Sequence, residues 1–227
     1  MKTRKIETAG PARKRIFILD DHPMTRRGLA QLIQNDPNLT VCGEAENAPQ
    51  ALAALKPPFP DLILSDITLP GKSGLEFIKD IKAQNPKVSV LVMSMHDENI
   101  YAERVLKMGG SGYIMKSEDG DKVIEAIWQV LRGQTYVSKN MSTLLASLFT
   151  RHAQRGEMQT SLLTDREFEV YQLLGQGIST RAIGDRLHIS PKTVETHRMK
   201  IKAKFKLKTG PELIKHAVRW AAANQLI

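Results

Sequence analysis

The sequence predicts an α/β fold, a doubly wound five-stranded parallel-sheet domain, followed by an all-α domain of four helices. Three observations predict it. Between Arg15 and Arg132, short apolar runs alternate five times with stretches of helical pattern. Those runs are continuous rather than alternating, as strands buried on both faces require. Beyond Leu162 only the helical pattern persists, and the charge changes with it. Residues 15–138 carry 13 Lys/Arg against 16 Asp/Glu, whereas residues 162–227 carry 12 against 6. A mildly acidic front and a basic back suggest two domains, the second with a polyanion partner.

Ile16-Phe17-Ile18-Leu19 is the first strand and stops at Asp20-Asp21. A helix follows over 23–34, with Pro23 at its start and Leu29, Leu32 and Ile33 on one face. A second strand spans 39–45, and a short helix from Ala48 to Leu55 ends before Lys56-Pro57-Pro58. Asp61 to Asp66 is the third strand, an apolar run that stops at a carboxylate before the loop formers Pro70-Gly71-Lys72-Ser73-Gly74. The helix over 74–84 places Leu75, Ile78 and Ile81 at helical spacing. Val88 to Met93 is the fourth strand, ending at Ser94, and a helix over 98–108 stops at Gly109-Gly110. Gly112 to Met115 ends at Lys116, and a last helix over 119–132 precedes Gly133.

Residues 136–161 lose this alternation and read as a linker. Met141 to Phe149 is expected to form a helical turn or two, and Arg151 to Thr160 to be mobile. Residues 1–14, basic and containing Gly10-Pro11, read as a disordered tail. The domains are thus expected at 15–135 and 162–227. In the second, Thr164 with Glu167 three positions later makes a capping box, and Gly177 ends that helix. Ser179 or Thr180 caps the next, which reaches about Leu187. Ser190-Pro191 opens a third to about Phe205, and Thr209-Gly210-Pro211 a fourth to about Asn224. A helix, a tight turn and a cationic helix is helix-turn-helix grammar.

No apolar run approaches the roughly 18–20 residues of a membrane span, and no membrane association is expected. Met1 to Lys14 lacks the apolar core of a secretion signal. The single cysteine, Cys42, lies in an apolar run and reads as a small core residue. The cytoplasm is the expected compartment.

In a doubly wound sheet, ligands bind outside the carboxyl ends of the strands. Asp20, Asp21, Asp66, Ser94 and Lys116 all fall there. A carboxylate at that edge can accept a phosphoryl group, which concentrates negative charge and requires cations nearby. Asp20 and Asp21 would repel phosphate alone, but they suit a hard divalent ion such as Mg²⁺. Lys116 supplies a second cation, Ser94 a hydroxyl donor, and backbone groups around Thr68 complete the metal shell.

Asp20-Asp21, Asp66 with Pro70-Gly71, Ser94, and Gly112-Tyr113-Ile114-Met115-Lys116 together resemble the response-regulator receiver domain over residues 15–135. The resemblance implies that a sensor histidine kinase donates a phosphoryl group to Asp66. It implies Mg²⁺ held by Asp20, Asp21, Asp66 and the carbonyl of Thr68, with Lys116 as the site lysine. It further implies Ser94 and Tyr113 as the switch pair, Ser94 moving toward phosphate while the aromatic turns inward. Ser117 stands where many such domains have proline. His96 takes a position that tunes phosphoryl lifetime in the family.

In the third C-terminal helix, Val194, Ile201 and Phe205 fall near one line and should face the core. The opposite side presents Lys192, Thr196, Met199 and Ala203, flanked by Glu195 and Lys200. Lysines there can neutralise phosphates. Glu195 can accept from cytosine N4, and Thr196 and Met199 can touch a thymine methyl. Leu163 to Glu167, Gly177, Ile178-Ser179, Ile183, Leu187, Ile189-Ser190, Thr193-Val194, His197 and Ile201 resemble the LuxR-type helix-turn-helix over about 160–227. Both halves together resemble a NarL/FixJ-class response regulator. Thr180-Arg181 replaces the usual Asn-Lys, and Gly184, at a usual Ala, is expected to cost about 1 kcal/mol in a helix.

The contacts to double-stranded DNA are therefore assigned to Lys192, Thr193, Glu195, Thr196, His197, Met199, Lys200 and Lys204. The expected function is transcription control by phosphorylation at Asp66, as a homodimer when phosphorylated. The chain is not expected to be an enzyme beyond phosphorylating and dephosphorylating itself. An aspartyl phosphohydrolase is the rival reading, but such enzymes place an acid two residues after the nucleophile, where this chain has Thr68. A constitutive DNA binder with an unused acidic site is the third.

Overall fold

The structure is a computed structural model describing residues 12–143, 160, 162–224 and 226–227. Of the expected disordered tail 1–14, residues 1–11 lie outside the described residues, and Lys14 is instead the first residue of a strand, its N–H donating to Asn38 O at 2.8 Å. Also outside the described residues lie 144–149 of the expected helical turn and 151–159 of the polar stretch; residues 139–143 are helical.

The N-terminal domain runs β1 (Lys14–Leu19), α1 (Pro23–Gln34), β2 (Leu39–Ala45), α2 (Ala48–Ala54), β3 (Leu62–Ser65), α3 (Gly74–Gln84), β4 (Ser89–Ser94), α4 (Glu98–Lys107), β5 (Gly112–Met115) and α5 (Gly120–Leu131). All five strands pair parallel in the order β2-β1-β3-β4-β5. The chain winds outward one way from β1 and the other way from β3, so the switch point lies between β1 and β3. The third strand is one residue shorter at each end than the expected 61–66. Asp61 is instead a side-chain anchor, accepting the Arg15 backbone N–H at 2.8 Å.

The continuous apolar runs follow from burial on both faces. Phe17, Leu19, Ile63, Val90, Val92 and Tyr113 pack with α2, α3 and α4. Ile16, Ile18, Leu62, Leu64, Leu91, Met93 and Ile114 pack with Leu29, Ile33, Val123, Ile127 and Val130 of α1 and α5. Each such side chain contributes about 1.5–3 kcal/mol by leaving water, which clamps the strand ends that carry the polar residues.

The C-terminal domain comprises α6 (Asp165–Gly175), α7 (Thr180–Leu187), α8 (Pro191–Lys204) and α9 (Gly210–Ala223). Its caps are the expected ones. Thr164 and Glu167 form the capping box on α6, Ser179 caps α7, Ser190 caps α8 and Thr209 caps α9. Val194 and Ile201 are fully buried. Gly184 is explained by contact, because a Cβ there would stand 2.7 Å from the Ile189 carbonyl oxygen. The tight turn brings its own backbone against α7, and His188 makes that turn in the left-handed region at φ 52°.

The two domains share one apolar cluster. Tyr101 of α4 donates its hydroxyl to Gln172 Oε1 of α6 at 2.5 Å, and both side chains are buried. The Arg104 guanidinium stacks 3.9 Å from the centre of the Phe168 ring and reaches Asp165 Oδ1 at 3.4 Å.

Candidate functional site

The strand-end residues converge. The backbone of β1 carries Asp20 out of the sheet, its N–H donating to Ala45 O at 3.1 Å. Asp66 is carried by β3, with its N–H on Leu19 O at 2.7 Å. Lys116 leaves β5 with its N–H on Ser94 O at 2.8 Å. The Lys116 Nζ then sits 2.6 Å from both Asp20 Oδ2 and Asp66 Oδ2. The three side chains are almost closed to solvent, at 9%, 3% and 5% exposure. Gly74 makes room behind them, since a Cβ there would lie 2.3 Å from the Asp66 carbonyl oxygen.

Burial raises the Asp66 pKa above the ordinary carboxylate value, against the pull of Lys116. For Lys116 burial works against the charge, but Asp66 and Asp20 outweigh it and raise its pKa, so the ammonium persists at neutral pH. The site is an acid pair beside a cation in a low-dielectric pocket, where charge interactions are strong.

Asp20, Asp21, His22 and Asp66 each bring one ligand atom within 4.8 Å of the others. Asp21 Oδ1 is buried without a hydrogen bond. His22 Nδ1 is 2.7 Å away, but out of line for donation. An orphaned carboxylate oxygen among further oxygen donors fits a hard divalent cation. The Thr68 N–H donates to Asp66 Oδ1 at 3.1 Å, which holds the loop against the carboxylate.

Ser94 is fully buried, and its Oγ accepts the His96 N–H at 3.1 Å. Tyr113 is also fully buried, its hydroxyl donating to His96 O at 2.7 Å. Burial raises its pKa. In the sequence His96 stands out by its position alone, and what it joins is visible only in the fold. Its ring Nε2 lies 2.9 Å from Thr68 Oγ1, and its ring centre 5.1 Å from that of Tyr101. No local pattern signals these contacts, which join two strand-end loops to α4.

Comparison with known proteins places this geometry. Residues 16–128 match the response regulator receiver domain, and residues 161–217 match the bacterial regulatory proteins of the luxR family. The chain is 33% identical over 218 residues to the transcriptional regulatory protein DegU of Brevibacillus brevis, covering 90% of this chain and 92% of that one. It is 34% identical over 199 residues to the nitrate/nitrite response regulator protein NarL of Escherichia coli K12, covering 87% and 91%. The chain belongs to the LuxR-family two-component response regulators. As a response regulator it pairs a receiver, β1 to α5, with a LuxR-type DNA-binding output domain, α6 to α9, and regulates transcription. RcsB of Salmonella enterica serovar Typhimurium, solved bound to a promoter with a phosphomimetic, shares the fold. Its TM-score is 0.59 at 23% identity, covering 91% of this chain and 98% of that one. Among the described residues no helix is long and apolar enough to cross a membrane.

In this regulator the helix after the turn, α8, presents three side chains openly. Lys192, Met199 and Lys200 are exposed, with no side-chain hydrogen bond or ion pair among the described residues. The other assigned residues already have partners or are partly covered. Glu195 Oε1 accepts from Arg198 Nη1 at 2.6 Å and from Thr180 Oγ1 at 3.0 Å. The Thr193 N–H donates to Ser190 Oγ at 3.0 Å, and the Thr196 hydroxyl to Lys192 O at 3.0 Å. Lys204 Nζ donates to Glu167 Oε2 at 2.5 Å. His197 is half-buried, and burial lowers its pKa. Arg198 was missed by the sequence reading, since its tie to α7 through Thr180 depends on how the two helices cross.

Proposed function

We propose that Asp66 accepts a phosphoryl group from a sensor histidine kinase, and that this charge controls binding of the output domain to double-stranded DNA. The observation that carries the reading is Lys116 Nζ held 2.6 Å from Asp66 Oδ2, with the acid pair Asp20 and Asp21 beside it. In the transfer the Asp66 carboxylate oxygen forms a bond to phosphorus as the bond to the kinase imidazole nitrogen breaks. Lys116 and the Ser94 hydroxyl stabilise the oxygens that gain charge. Asp20, Asp21, Asp66 and the Thr68 carbonyl would hold Mg²⁺, which when bound would neutralise charge on those oxygens. Lys116 then exchanges part of its contact with Asp20 for the phosphoryl group, and Ser94, drawn toward it, loosens its hold on His96.

On this reading the protein transfers a phosphoryl group only onto and off itself, in the cytoplasm. Lys192 and Lys200 meet phosphates, Met199 and Thr196 meet base edges, and two copies occupy paired half-sites. Support comes from the exposed, unengaged cations of α8 and from the promoter-bound RcsB of the same fold. The test is Asp66→Ala. It is expected to keep its circular dichroism and melting profile, to take no phosphoryl group from acetyl phosphate, and to lose phosphorylation-dependent DNA binding. Phosphorylation-dependent binding retained in that variant would sink the reading.

A further inference from the structure

The acid edge carries nitrogen as well as oxygen. His22 follows the acid pair directly, and its backbone N–H donates to Asp20 Oδ1 at 2.9 Å, which fixes the loop. Its ring Nδ1 lies 3.2 Å from Asp20 Oδ1 and 2.7 Å from Asp21 Oδ1. His188, the residue that closes α7 before α8 begins, brings its Nε2 to 3.6 Å from Asp21 Oδ2. Asp21 thus turns one oxygen toward an imidazole of the receiver and the other toward an imidazole of the output domain.

Neither contact to Asp21 is a hydrogen bond. The His22 nitrogen is out of line for donation, Asp21 Oδ1 is buried with no donor, and the His188 nitrogen stands too far off. Atoms with lone pairs facing one another this closely call for a positive charge among them. Lys116 does not supply it, since its Nζ is on Asp20 Oδ2 and Asp66 Oδ2. The carboxylates of Asp20, Asp21 and Asp66 share that single ammonium, an excess of negative charge that a dication balances.

The donor set selects the kind of dication. Mg²⁺ takes oxygen ligands and gives no role to the two imidazoles. Imidazole suits Zn²⁺, Ni²⁺ and Cu²⁺. Zn²⁺ holds nitrogen and oxygen at about 2.0–2.2 Å, so neighbouring ligand atoms of a tetrahedral site lie about 3.3–3.6 Å apart. The separations of 3.2 and 3.6 Å match that spacing, and the closest pair needs to open by only about 0.6 Å.

We propose that His22 and His188, with Asp20 and Asp21, form a site for a transition-metal dication of the Zn²⁺ type, shared between the two domains. The ion takes one imidazole from each domain. It excludes Mg²⁺, because both ions need Asp20 and Asp21. The site does not depend on phosphoryl transfer, since Asp66 is not among its ligands.

The test uses full-length protein freed of metal by a chelator and titrated with Zn²⁺, with Co²⁺ as a visible stand-in. One ion per chain is expected, with the intense visible absorption of four-coordinate Co²⁺, lost when Zn²⁺ displaces it. X-ray absorption at the zinc edge should count two imidazoles. His22→Asn keeps a good cap for α1, and His188→Asn keeps a residue that tolerates the left-handed turn. Each should leave one imidazole and weaken Zn²⁺ at least about tenfold, a loss that even outer-shell changes can cause. In His188→Asn the rise in melting midpoint given by Mg²⁺ should stay as it is in the unaltered protein. An unchanged Zn²⁺ affinity and imidazole count in His188→Asn overturns the proposal. So does an equal loss of the Mg²⁺ response there, which means a damaged edge and not a missing ligand. A doubling of mass in light scattering on adding Zn²⁺ overturns it as well, because the imidazoles then come from two copies. Zn²⁺ binding no tighter than Mg²⁺ in the unaltered protein removes the site altogether, while leaving the phosphoacceptor reading untouched.

Discussion

The acid edge of the sheet and the exposed face of α8 are built in opposite ways. At the edge, Asp20, Asp66 and Lys116 are pinned by backbone hydrogen bonds, nearly closed to water and already in contact. On α8, Lys192, Met199 and Lys200 stand in solvent and touch nothing specific. On the proposed function, the difference follows from what each must do. Phosphoryl transfer needs charges placed before the reaction, because reorganising them during it costs rate. Groove recognition draws its order from the duplex, and lysines left in water keep the freedom to meet phosphates. The edge should therefore be intolerant of change and sensitive to burial, and the α8 face tolerant and sensitive to salt.

The largest effect that would break this contrast lies at Lys116. Lys116→Met leaves buried carboxylates without their cation, and is expected to destabilise the receiver by about 3–5 kcal/mol in urea without Mg²⁺. Added Mg²⁺ should restore part of that loss; a loss of under about 1 kcal/mol would mean that the edge is not built as a charged core.

Next is Glu169, a third kind of site, buried in the output domain against Arg166 at 2.7 Å. Burial pushes its carboxyl up to about 7 from the usual 4.5. The folded state holds a proton over that interval while the unfolded chain has released it. The stability contributed by this group is therefore fullest below about pH 4.5 and is lost as pH rises through about 7, by up to ~3 kcal/mol. Thermal melts across that range check the sign, and Glu169→Gln should flatten the slope.

Gly74→Ala tests the edge from behind. The added methyl meets the Asp66 carbonyl, and since backbone must shift, a cost of about 1–3 kcal/mol is expected, with slower phosphorylation. The smallest effect sharpens the other half of the contrast. Lys192→Ala should leave phosphorylation and melting unchanged and reduce the salt dependence of DNA binding by about one in slope.

Most of the fold is legible residue by residue. Ile16 to Leu19 and Leu62 to Ser65 read as strands because both faces of the sheet are covered, and Thr164 with Glu167 marks a helix start by chemistry that needs only its own turn. The acid edge is legible for a related reason, since strand ends in a doubly wound sheet share one side. Arg166, Glu169 and Gln172 were not legible as buried residues. Their polarity on α6 reads as a solvent face, and only partners on α4, the β3–α3 loop and the C-terminus of α7 make burial tolerable. Gly184 reads as a weak point of its helix until the Ile189 carbonyl is seen beside it.

By itself, then, the sequence determined the order of the elements, the strand-end chemistry and the cationic helix, because periodicity, caps and loop formers act within a few residues. Only the tertiary structure decided which surfaces meet. Tyr101 and Gln172 are 71 positions apart, and Arg104 and Asp165 are 61. A pattern along the chain reports how a side chain faces its own helix or strand. The facing of two folded domains depends on the shapes and charges of both surfaces together, and no stretch of either one carries that.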